Sequence, residues 1–109
     1  IRLAMMVRTA AEQRSDRAKL AMNAFARALD IVPATLVENA GGDSLDAILA
    51  LRASSQKEQF FGIGIDGNVT AVPADVLHPT DTILNGIIGA TETTCSLLRI
   101  DQVISARGD

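Results

Sequence analysis

The feature that most constrains the fold of this chain is the stretch 18–42, AKLAMNAFARALDIVPATLVENAGG. Pro33 donates no N–H and its ring clashes with the preceding turn, so we expect it to stop or kink a helix here. A short second helix, 34–39, would then end at Gly41-Gly42, where a glycine can adopt the left-handed cap. The apolar residues before the proline recur at helical spacing and predict one long amphipathic helix; they are Ala18, Ala21, Phe25, Ala28, Leu29 and Val32.

The composition limits the class of protein. A chain of 109 residues is one domain or a piece of a larger one. Apolar residues make up 48% but aromatics only 3%, so the core must be built from aliphatic side chains. A formal net charge of −3 argues against nucleic acid as a partner. The single Cys95 excludes an internal disulfide and fits a reducing compartment, and we find no run of about 18 apolar residues that predicts a membrane span.

Two further helices are predicted on either side of this stretch. The first, 1–12, would leave Arg2 and Arg8 in solvent and turn its apolar side inward, namely Leu3, Met6, Val7 and Ala10. A polar hinge follows, in which Ser15 or Asp16 can cap the long helix. After the double glycine, a residue of the pair Asp43-Ser44 can cap a third helix that runs to residue 52 or 54, with apolar positions Leu45, Ile48, Leu49 and Leu51.

The periodicity changes to two at Phe60, which predicts a β-hairpin. Asp66-Gly67 predicts a two-residue turn in which both residues have positive φ. The small face formed by Gly62 and Gly64 invites close approach of a backbone or a ligand. The outward strand would carry Phe61, Ile63 and Ile65, and the returning strand Val69, Ala71 and Val72.

The C-terminal third is predicted to be a second long helix. Pro79 can open it, since the missing N–H costs nothing at a helix start. Cys95 lies on its apolar stripe and is expected to be a small buried hydrophobe. The alternation over 98–105 predicts a short strand that leaves the domain, and 107–109 a flexible end. The predicted fold class is therefore mainly α with a small β-hairpin.

Three blocks of this sequence resemble a known family. They are FARALDIVPATLVENAGGDSLDAILALRA, FFGIGIDGNVTAV and LHPTDTILNGIIGATETTCSLLRIDQVISA. In this order and spacing they resemble the C-terminal part of a group II chaperonin subunit, the family of the archaeal thermosome and the eukaryotic cytosolic chaperonin CCT. The segment ATETTCSLLRIDQVI resembles the delta-type CCT subunit more than the other types. The resemblance covers about residues 3–106.

The resemblance implies a fold and a role. Residues 1–109 would form the C-terminal half of the multihelical equatorial domain, with its N-terminal half and the intermediate and apical domains absent. Family members are ATP-driven cytoplasmic double rings that use Mg and fold client proteins such as cytoskeletal proteins. The partners implied are other chaperonin subunits and unfolded clients, with no nucleic acid and no membrane. Because the family's phosphate loop and catalytic aspartates lie upstream, this chain alone is expected to bind no cofactor and to be inactive as an ATPase.

The resemblance also implies candidate nucleotide-binding residues. Gly62 and Gly64 match hairpin positions that lie beside the adenine, where small residues allow close backbone approach. His78 stands where the family often has an acidic residue that contacts the ribose, and Ile83 where a lysine is common. Both departures weaken the nucleotide contacts implied for this segment. Alternatively, His78 is an ordinary loop residue before Pro79. No metal ligands and no catalytic residues are predicted.

A second hypothesis comes from a different class of protein. The chain could be a free-standing helical protein-interaction module, without nucleotide chemistry, whose apolar stripe docks a partner helix. A reading frame that continues upstream into a glycine-rich phosphate loop would favour the chaperonin hypothesis over the module. An isolated enzyme is disfavoured because the sequence has no paired carboxylates, Cys/His pair or metal-spaced ligands. The isolated chain is expected to oligomerise or to be poorly soluble.

Overall fold

A computed structural model describes the backbone of residues 1–108 and the side chains of residues 1–100. Over this range the chain forms α1 (Arg2–Glu12), α2 (Ala18–Asn39), α3 (Ser44–Ser54), β1 (Phe61–Ile63), β2 (Val69–Ala71) and α4 (Thr80–Gly108). The predicted fold class, mainly α with a small hairpin, is confirmed. The chain divides into two compact units, one from Ile1 to Pro73 and one that begins at Ala74.

The longest helix of the first unit continues through its proline. α2 is helical from Ala18 to Asn39 with Pro33 inside it, so the prediction of two helices separated at Pro33 was wrong. An interior proline costs a helix about 3 kcal/mol, because one hydrogen bond is lost and the ring meets the preceding turn. α2 packs against α1, α3 and β1. Helices in proteins take most of their stability from such packing, which offsets the local cost.

α2 ends as predicted, at the double glycine. Gly41 has a φ of +83°, in the left-handed region. The Gly42 N–H donates to the carbonyl of Val37 at 3.0 Å, and the Gly41 N–H donates to the carbonyl of Glu38 at 2.9 Å. These two bonds form a Schellman motif, which satisfies carbonyls that the end of a helix leaves without partners. The prediction of a left-handed glycine cap is confirmed.

The two predicted N-caps had different outcomes. Asp43 caps α3, since its carboxylate accepts the N–H groups of the first turn at 2.9 and 3.4 Å. The cap predicted for α2 at residues 15–16 was wrong, because the N-cap residue is Arg17 and it makes no side-chain cap hydrogen bond. The Asp16 carboxylate instead pairs with Arg14 at 2.7 Å. That hydrogen bond from Arg14 lowers the pKa of Asp16.

Small side chains dominate the buried core of the first unit. Its buried apolar residues are Ala4, Ala11, Ala26, Val37, Ile48 and Leu51. The three alanines lie on α1 and α2, the helix pair with the most extensive contact. Small side chains at a helix contact allow the two helix axes to lie closer together, and several larger apolar side chains of the predicted inward faces are exposed. The predicted inward faces were therefore partly wrong, and the expected core residues that are exposed include Leu3, Met6, Ala10, Ala21, Ala28, Val32, Leu45 and Leu49.

A buried carboxylate joins the three helices of the first unit. Asp30 on α2 is only 8% exposed. Its Oδ2 accepts hydrogen bonds from Nη2 of Arg8 on α1 at 2.6 Å and from Nη2 of Arg52 on α3 at 3.1 Å. The prediction that Arg8 is solvated was wrong, because 70% of its side chain is covered and its guanidinium is paired. Asp30 Oδ1 is buried and has no hydrogen-bond partner among the described residues.

α2 is long and apolar enough to cross a membrane when only length and composition are considered. The sequence-based expectation that there is no run of about 18 apolar residues still holds, because Arg27 and Asp30 lie within this helix. A single helix of this kind is weak evidence for a membrane span, because the core helix of a globular unit meets the same criteria. α2 packs against α1, α3 and β1, and it carries Asp30, which is paired with two arginines. A charged residue in the middle of a helix is costly in hydrocarbon, so these features favour a helix packed within the first unit.

The hairpin forms as predicted, but with a different turn. β1 and β2 pair antiparallel, with Phe61 opposite Ala71. The loop has three residues, 65–67, since the Gly64 N–H donates to the Asn68 carbonyl at 2.9 Å. The Gly67 N–H donates to the Gly64 carbonyl at 2.9 Å, and Gly67 alone in the hairpin has a positive φ, of +82°. This is a type I turn followed by a left-handed glycine, so the predicted two-residue turn was wrong.

The second unit contains α4, which extends to Gly108. The predicted strand over 98–105 was therefore wrong. The residues Leu97, Ile100 and Ile104 also recur at steps of three and four, and this helical spacing is the one that the chain adopts. Of the predicted flexible end 107–109, residues 107 and 108 are helical and residue 109 lies outside the described residues.

The described side chains of the second unit, residues 74–100, include none that is buried. Cys95 is exposed, so the prediction of a small buried hydrophobe was wrong. Ile87 is half-buried, and its large apolar neighbours on the predicted stripe are exposed, with Ile83 at 51% and Leu84 at 50%. The apolar stripe of α4 is therefore present in the helix but is not covered by the described residues of the second unit.

Candidate functional site

A cleft of about 360 Å³ lies in the first unit between the start of α1, the second half of α2, the end of α3 and the strand β1. Its volume falls within the range of small-ligand pockets. The side chains around it are mostly aliphatic or aromatic, and Arg2 is the one charged residue that lines it. Residues that matter for its shape and charge are Arg2, Val32, Pro33, Phe60, Phe61 and Gly62.

The chemistry of this cleft is that of a binding surface. Its lining includes no carboxylate, histidine or cysteine, so it has no side chain that could transfer a proton near neutral pH. It offers apolar walls, aromatic rings and the backbone of a strand edge. Among the described residues, no group of three histidine, cysteine or acidic side chains is placed to hold a metal ion. The arrangement suits a flat, partly apolar ligand group or an apolar segment of another polypeptide.

Gly62 lines this cleft, and the fold of the described chain does not require a glycine there. A Cβ added at Gly62 would meet its nearest atom, Cγ2 of Val72, at 3.5 Å, which is an ordinary van der Waals distance. Its φ is not in the left-handed region. An alanine would therefore fit within the first unit. The missing side chain keeps the backbone of β1 open on the side of the cleft.

Gly64, the second predicted site glycine, is explained by the hairpin itself. A Cβ there would lie 3.0 Å from Oδ1 of Asp66 and 3.3 Å from Cγ2 of Thr70. Both distances are shorter than ordinary contacts, so a side chain would disturb the loop. Gly64 is also absent from the residues that line the cleft. The two glycines that sequence analysis treated alike thus differ, and only Gly62 borders the cleft.

Gly67 has a role that sequence analysis did not identify. It is buried, and its φ of +82° disfavours any other residue. A Cβ at this position would lie 2.8 Å from Cβ of Ala40, at the end of α2. The tip of the hairpin is therefore seated on the end of α2 through a contact that only glycine allows. The Asp-Gly pair in the sequence signalled a turn but not this docking.

The loop is further ordered by the side chain of Asp66. Its Oδ1 accepts the Asn68 N–H at 3.1 Å, and its Oδ2 accepts the Asn68 side-chain amide at 3.0 Å. The backbone hydrogen bond, followed by the amide, lowers the pKa of Asp66. The carboxylate is thus ionised at neutral pH and serves to fix the loop.

His78, the third predicted site residue, lies in the second unit. It is exposed and belongs to the irregular segment before α4, as its loop interpretation predicts. Ile83, which stands where the family commonly has a lysine, is also exposed. The structure therefore places Gly62 at the cleft, Gly64 in the hairpin turn and His78 in the loop of a separate unit.

Comparison with known proteins identifies relatives across nearly the whole chain. The model of the TCP-1/cpn60 chaperonin family matches residues 1–108. Thermosome subunit alpha of Methanothermobacter thermautotrophicus is 42% identical over 110 residues, which cover 99% of this chain and 20% of that protein. The thermosome subunit of Methanocaldococcus jannaschii is 40% identical over 97% of this chain and 20% of its own length.

A eukaryotic relative is also found. T-complex protein 1 subunit eta of Dictyostelium discoideum is 37% identical over 89 residues, which cover 79% of this chain and 16% of that protein. This chain spans about one fifth of the length of the curated thermosome relatives that it matches.

Proposed function

Because this chain belongs to the TCP-1/cpn60 chaperonin family, we propose that it is one part of a chaperonin subunit that folds other proteins with ATP. The family match over residues 1–108 and the thermosome relatives at about 40% identity support this proposal. This chain spans a fifth of the length of those relatives, so we make the following proposals for the whole subunit only. They are the folding activity, the binding of ATP and Mg, the cytoplasmic location and the folding of client proteins. Its other proposed partners are further chaperonin subunits in a double ring.

We propose that residues 1–109 form the C-terminal half of the equatorial domain. The distribution of apolar side chains supports this placement. Among the described residues, six apolar side chains are buried whereas eighteen large hydrophobic ones are exposed. Exposed apolar side chains that share one face of a helix, such as Ile83, Leu84 and Ile88 on α4, are candidates for an interaction surface. The remaining equatorial segment of the subunit is proposed to cover it. The resemblance of residues 90–104 to the delta-type CCT subunit is the basis for proposing that subunit type.

Within that domain, we propose that the cleft beside β1 forms one wall of the nucleotide site. The observation that supports this most directly is Gly62. It borders the cleft, and its own fold would accept a larger residue at this position. A ligand that approaches the backbone closely would explain why the position is a glycine. The groups that bind phosphate and hydrolyse ATP are proposed to come from the rest of the subunit.

Replacement of Gly62 tests the proposed wall. In the full-length subunit, Gly62→Ala should weaken ATP binding about tenfold, because a methyl group would occupy space next to the ligand. Hydrogen exchange of the hairpin should stay as in the wild type, since the added Cβ meets no atom closer than 3.5 Å. A matched control is Gly89→Ala, whose Cβ meets nothing within 4 Å. Unchanged ATP affinity in Gly62→Ala would remove the cleft from the nucleotide site.

His78 needs a separate test. We propose that it replaces a ribose-contacting acid and so weakens nucleotide binding. His78→Glu in the full-length subunit should then raise ATP affinity, which isothermal titration can measure. Unchanged ATP affinity would mean that His78 is an ordinary loop residue that does not affect nucleotide binding.

The exposed apolar faces also support the alternative of a free-standing protein-interaction module. That hypothesis predicts that chain 1–109 is a folded partner-binding unit by itself. Light scattering with a hydrophobic dye separates the two hypotheses. A monodisperse monomer that leaves the dye unbound would contradict the proposed half-domain, whereas self-association with strong dye binding would support it.

A further inference from the structure

We infer that Arg2 is a positioning residue for the wall of the cleft. It lies on the first turn of α1 and holds the segment 57–60, which leads directly into β1 and Gly62. The inference rests on the nucleotide-site proposal for this cleft, and it adds a residue outside the predicted hairpin and loop positions. Arg2 would act through the hairpin, by fixing where the backbone of β1 lies.

Arg2 makes three contacts with this segment. Its Nη2 donates hydrogen bonds to the carbonyl of Lys57 and, at 2.9 Å, to the carbonyl of Gln59. The centre of its guanidinium lies 4.2 Å from the centroid of the Phe60 ring. These contacts join residues more than 50 positions apart in the chain. One side chain therefore fixes both the backbone and the first aromatic ring on the path into β1.

The other contacts of the segment that Arg2 holds are with its neighbours along the chain and with β2. The Lys57 N–H donates to the Ser54 carbonyl at 3.0 Å, Nζ of Lys57 lies 5.2 Å from the centroid of the Phe61 ring, and the Phe60 carbonyl accepts the Val72 N–H. Residues 55–60 lie between α3 and β1, outside both helix and strand, and residues 56–60 are exposed. The strands that follow have only three residues each. Two-stranded hairpins of this size are at best marginally stable alone. The place of β1 against α2 therefore depends on contacts outside the hairpin ladder.

Two such contacts hold the hairpin at opposite ends. At its tip, Gly67 sits against Ala40 at the end of α2. At its base, Phe60 closes the ladder by accepting the Val72 N–H at 2.9 Å, and Arg2 contacts the Phe60 ring. Gly62 lies between these two ends. The tip contact is built into the backbone, whereas the base contact depends on one long side chain.

The chemistry of the base contact favours arginine over lysine. A guanidinium is planar, offers several N–H donors in a fixed plane and can stack on an aromatic ring while it donates in that plane. An ammonium is a compact charge without that shape. Arg2→Lys keeps the charge near the cleft but should lose part of the three-point contact. A comparison of Arg2→Ala with Arg2→Lys thus separates the effect of the three contacts from the effect of a positive charge near the cleft.

The test uses the full-length subunit in its assembled form. In Arg2→Ala, the KM for ATP should rise about tenfold, the change expected for loss of roughly one charge-assisted hydrogen bond at a partly exposed site. The value of kcat at saturating ATP should change less than twofold, because Arg2 is not among the groups proposed to act on the phosphates. Amide exchange of residues 57–63 without nucleotide should become faster. Arg2→Lys should show the same changes at a smaller size.

The matched control is Arg14→Ala. Arg14 is an exposed arginine of the same unit, and its partner is the exposed Asp16. This variant should leave KM, kcat and the exchange of residues 57–63 as in the wild type. It removes the same chemical group and the same charge as Arg2→Ala, so a difference between the two variants reports on position.

The outcomes separate this inference from the proposal on which it rests. An unchanged KM in Arg2→Ala overturns the inference even if exchange becomes faster, because Arg2 would then contribute to stability only. Full restoration by lysine also overturns it, since charge alone would suffice. Gly62→Ala in the same assay tests the cleft itself. If Gly62→Ala raises KM and Arg2→Ala does not, only the inference fails. If neither variant raises KM, the proposal that the cleft forms one wall of the nucleotide site fails as well.

Discussion

The two units of this molecule are stabilised in contrasting ways. The first unit, from Ile1 to Pro73, has a buried core, a charged cluster around Asp30 and a hairpin seated on α2 through Gly67. The second unit, from Ala74, is a 29-residue helix with its leading segment, and none of its side chains described up to residue 100 is buried. Both units have helices with apolar residues at helical spacing. Among the described residues, only the first unit buries some of these apolar side chains.

This difference teaches that an amphipathic stripe predicts a helix but not what covers it. A helix in water takes most of its stability from packing its apolar face. In the first unit, α1 and α3 supply that packing for α2. For α4, the exposed stripe is consistent with our proposal that other segments of a longer subunit cover it. The comparison can be tested with substitutions that should behave differently in the two units.

The largest difference is expected for loss of an isoleucine side chain. Ile48→Ala in α3 removes a side chain that is 8% exposed and should cost about 2–4 kcal/mol of stability. Ile83→Ala in α4 removes one that is 51% exposed and should cost less than about 1 kcal/mol. Urea unfolding of chain 1–109, followed by circular dichroism, measures both. Equal losses would mean that Ile83 is packed in solution.

A comparable loss, about 2–3 kcal/mol, is expected for Asp30→Ala. It leaves two guanidiniums without their carboxylate, and the cost should fall below that of a fully buried pair because Arg8 and Arg52 are 30% and 41% exposed. Amide exchange should become faster in α1 and α3 together, since both helices lose their link to α2. Asp16→Ala is the control, because its pair with Arg14 is exposed on both sides and is expected to contribute little. Faster exchange in α1 alone would show that Arg52 does not take part in the link.

Glycine-to-alanine substitutions should have opposite signs in the two units. Gly67→Ala places a Cβ 2.8 Å from Ala40 at a positive φ and should destabilise the hairpin by about 1–3 kcal/mol. Gly89→Ala meets no atom within 4 Å inside a helix and should stabilise α4 by about 0.5–1 kcal/mol. Exchange rates of residues 61–71 and of α4 report the two effects. A destabilised Gly89→Ala variant would reveal a close neighbour of α4.

The smallest expected effect is a pH dependence confined to the hairpin loop. Hydrogen bonds from Asn68 lower the folded pKa of Asp66, so the ionised form favours the folded loop. This contribution is present above the ordinary carboxyl pKa and is lost as the pH falls through the lowered value. The NMR shift of the Asn68 amide should follow that titration, and Asp66→Asn should abolish it. A titration of the Asn68 amide that persists in Asp66→Asn would contradict its assignment to Asp66.

Sequence alone gave the elements that depend on local chemistry. The left-handed glycine after α2 and the cap of α3 by a residue of the pair Asp43-Ser44 could be predicted because these helix ends are satisfied by groups within a few residues of them. The alternation around Gly62 predicted the hairpin in the same way. At the candidate site, these signals located the strand that borders the cleft.

Features that depend on distant residues could not be predicted. Pro33 was expected to end a helix because its local cost is visible in sequence, whereas the packing of α2 that offsets this cost is not. The pairing of Arg8 with Asp30 joins residues 22 positions apart, so spacing along one helix did not reveal it. The contacts of Arg2 with the segment before β1 were missed for the same reason. The difference between Gly62 and Gly64 required their neighbours in space.

The alanines Ala4, Ala11 and Ala26 have a consequence for how this fold can vary. Each is fully buried, and all three lie on the helix pair α1 and α2. A larger side chain at a fully buried alanine requires a neighbouring side chain or helix to move. Larger residues at these three positions should therefore be tolerated less well than larger residues at the exposed positions of α1 and α2. Exposed leucines of the first unit can be replaced with wide freedom in protein design. The three buried alanine positions should accept few larger residues.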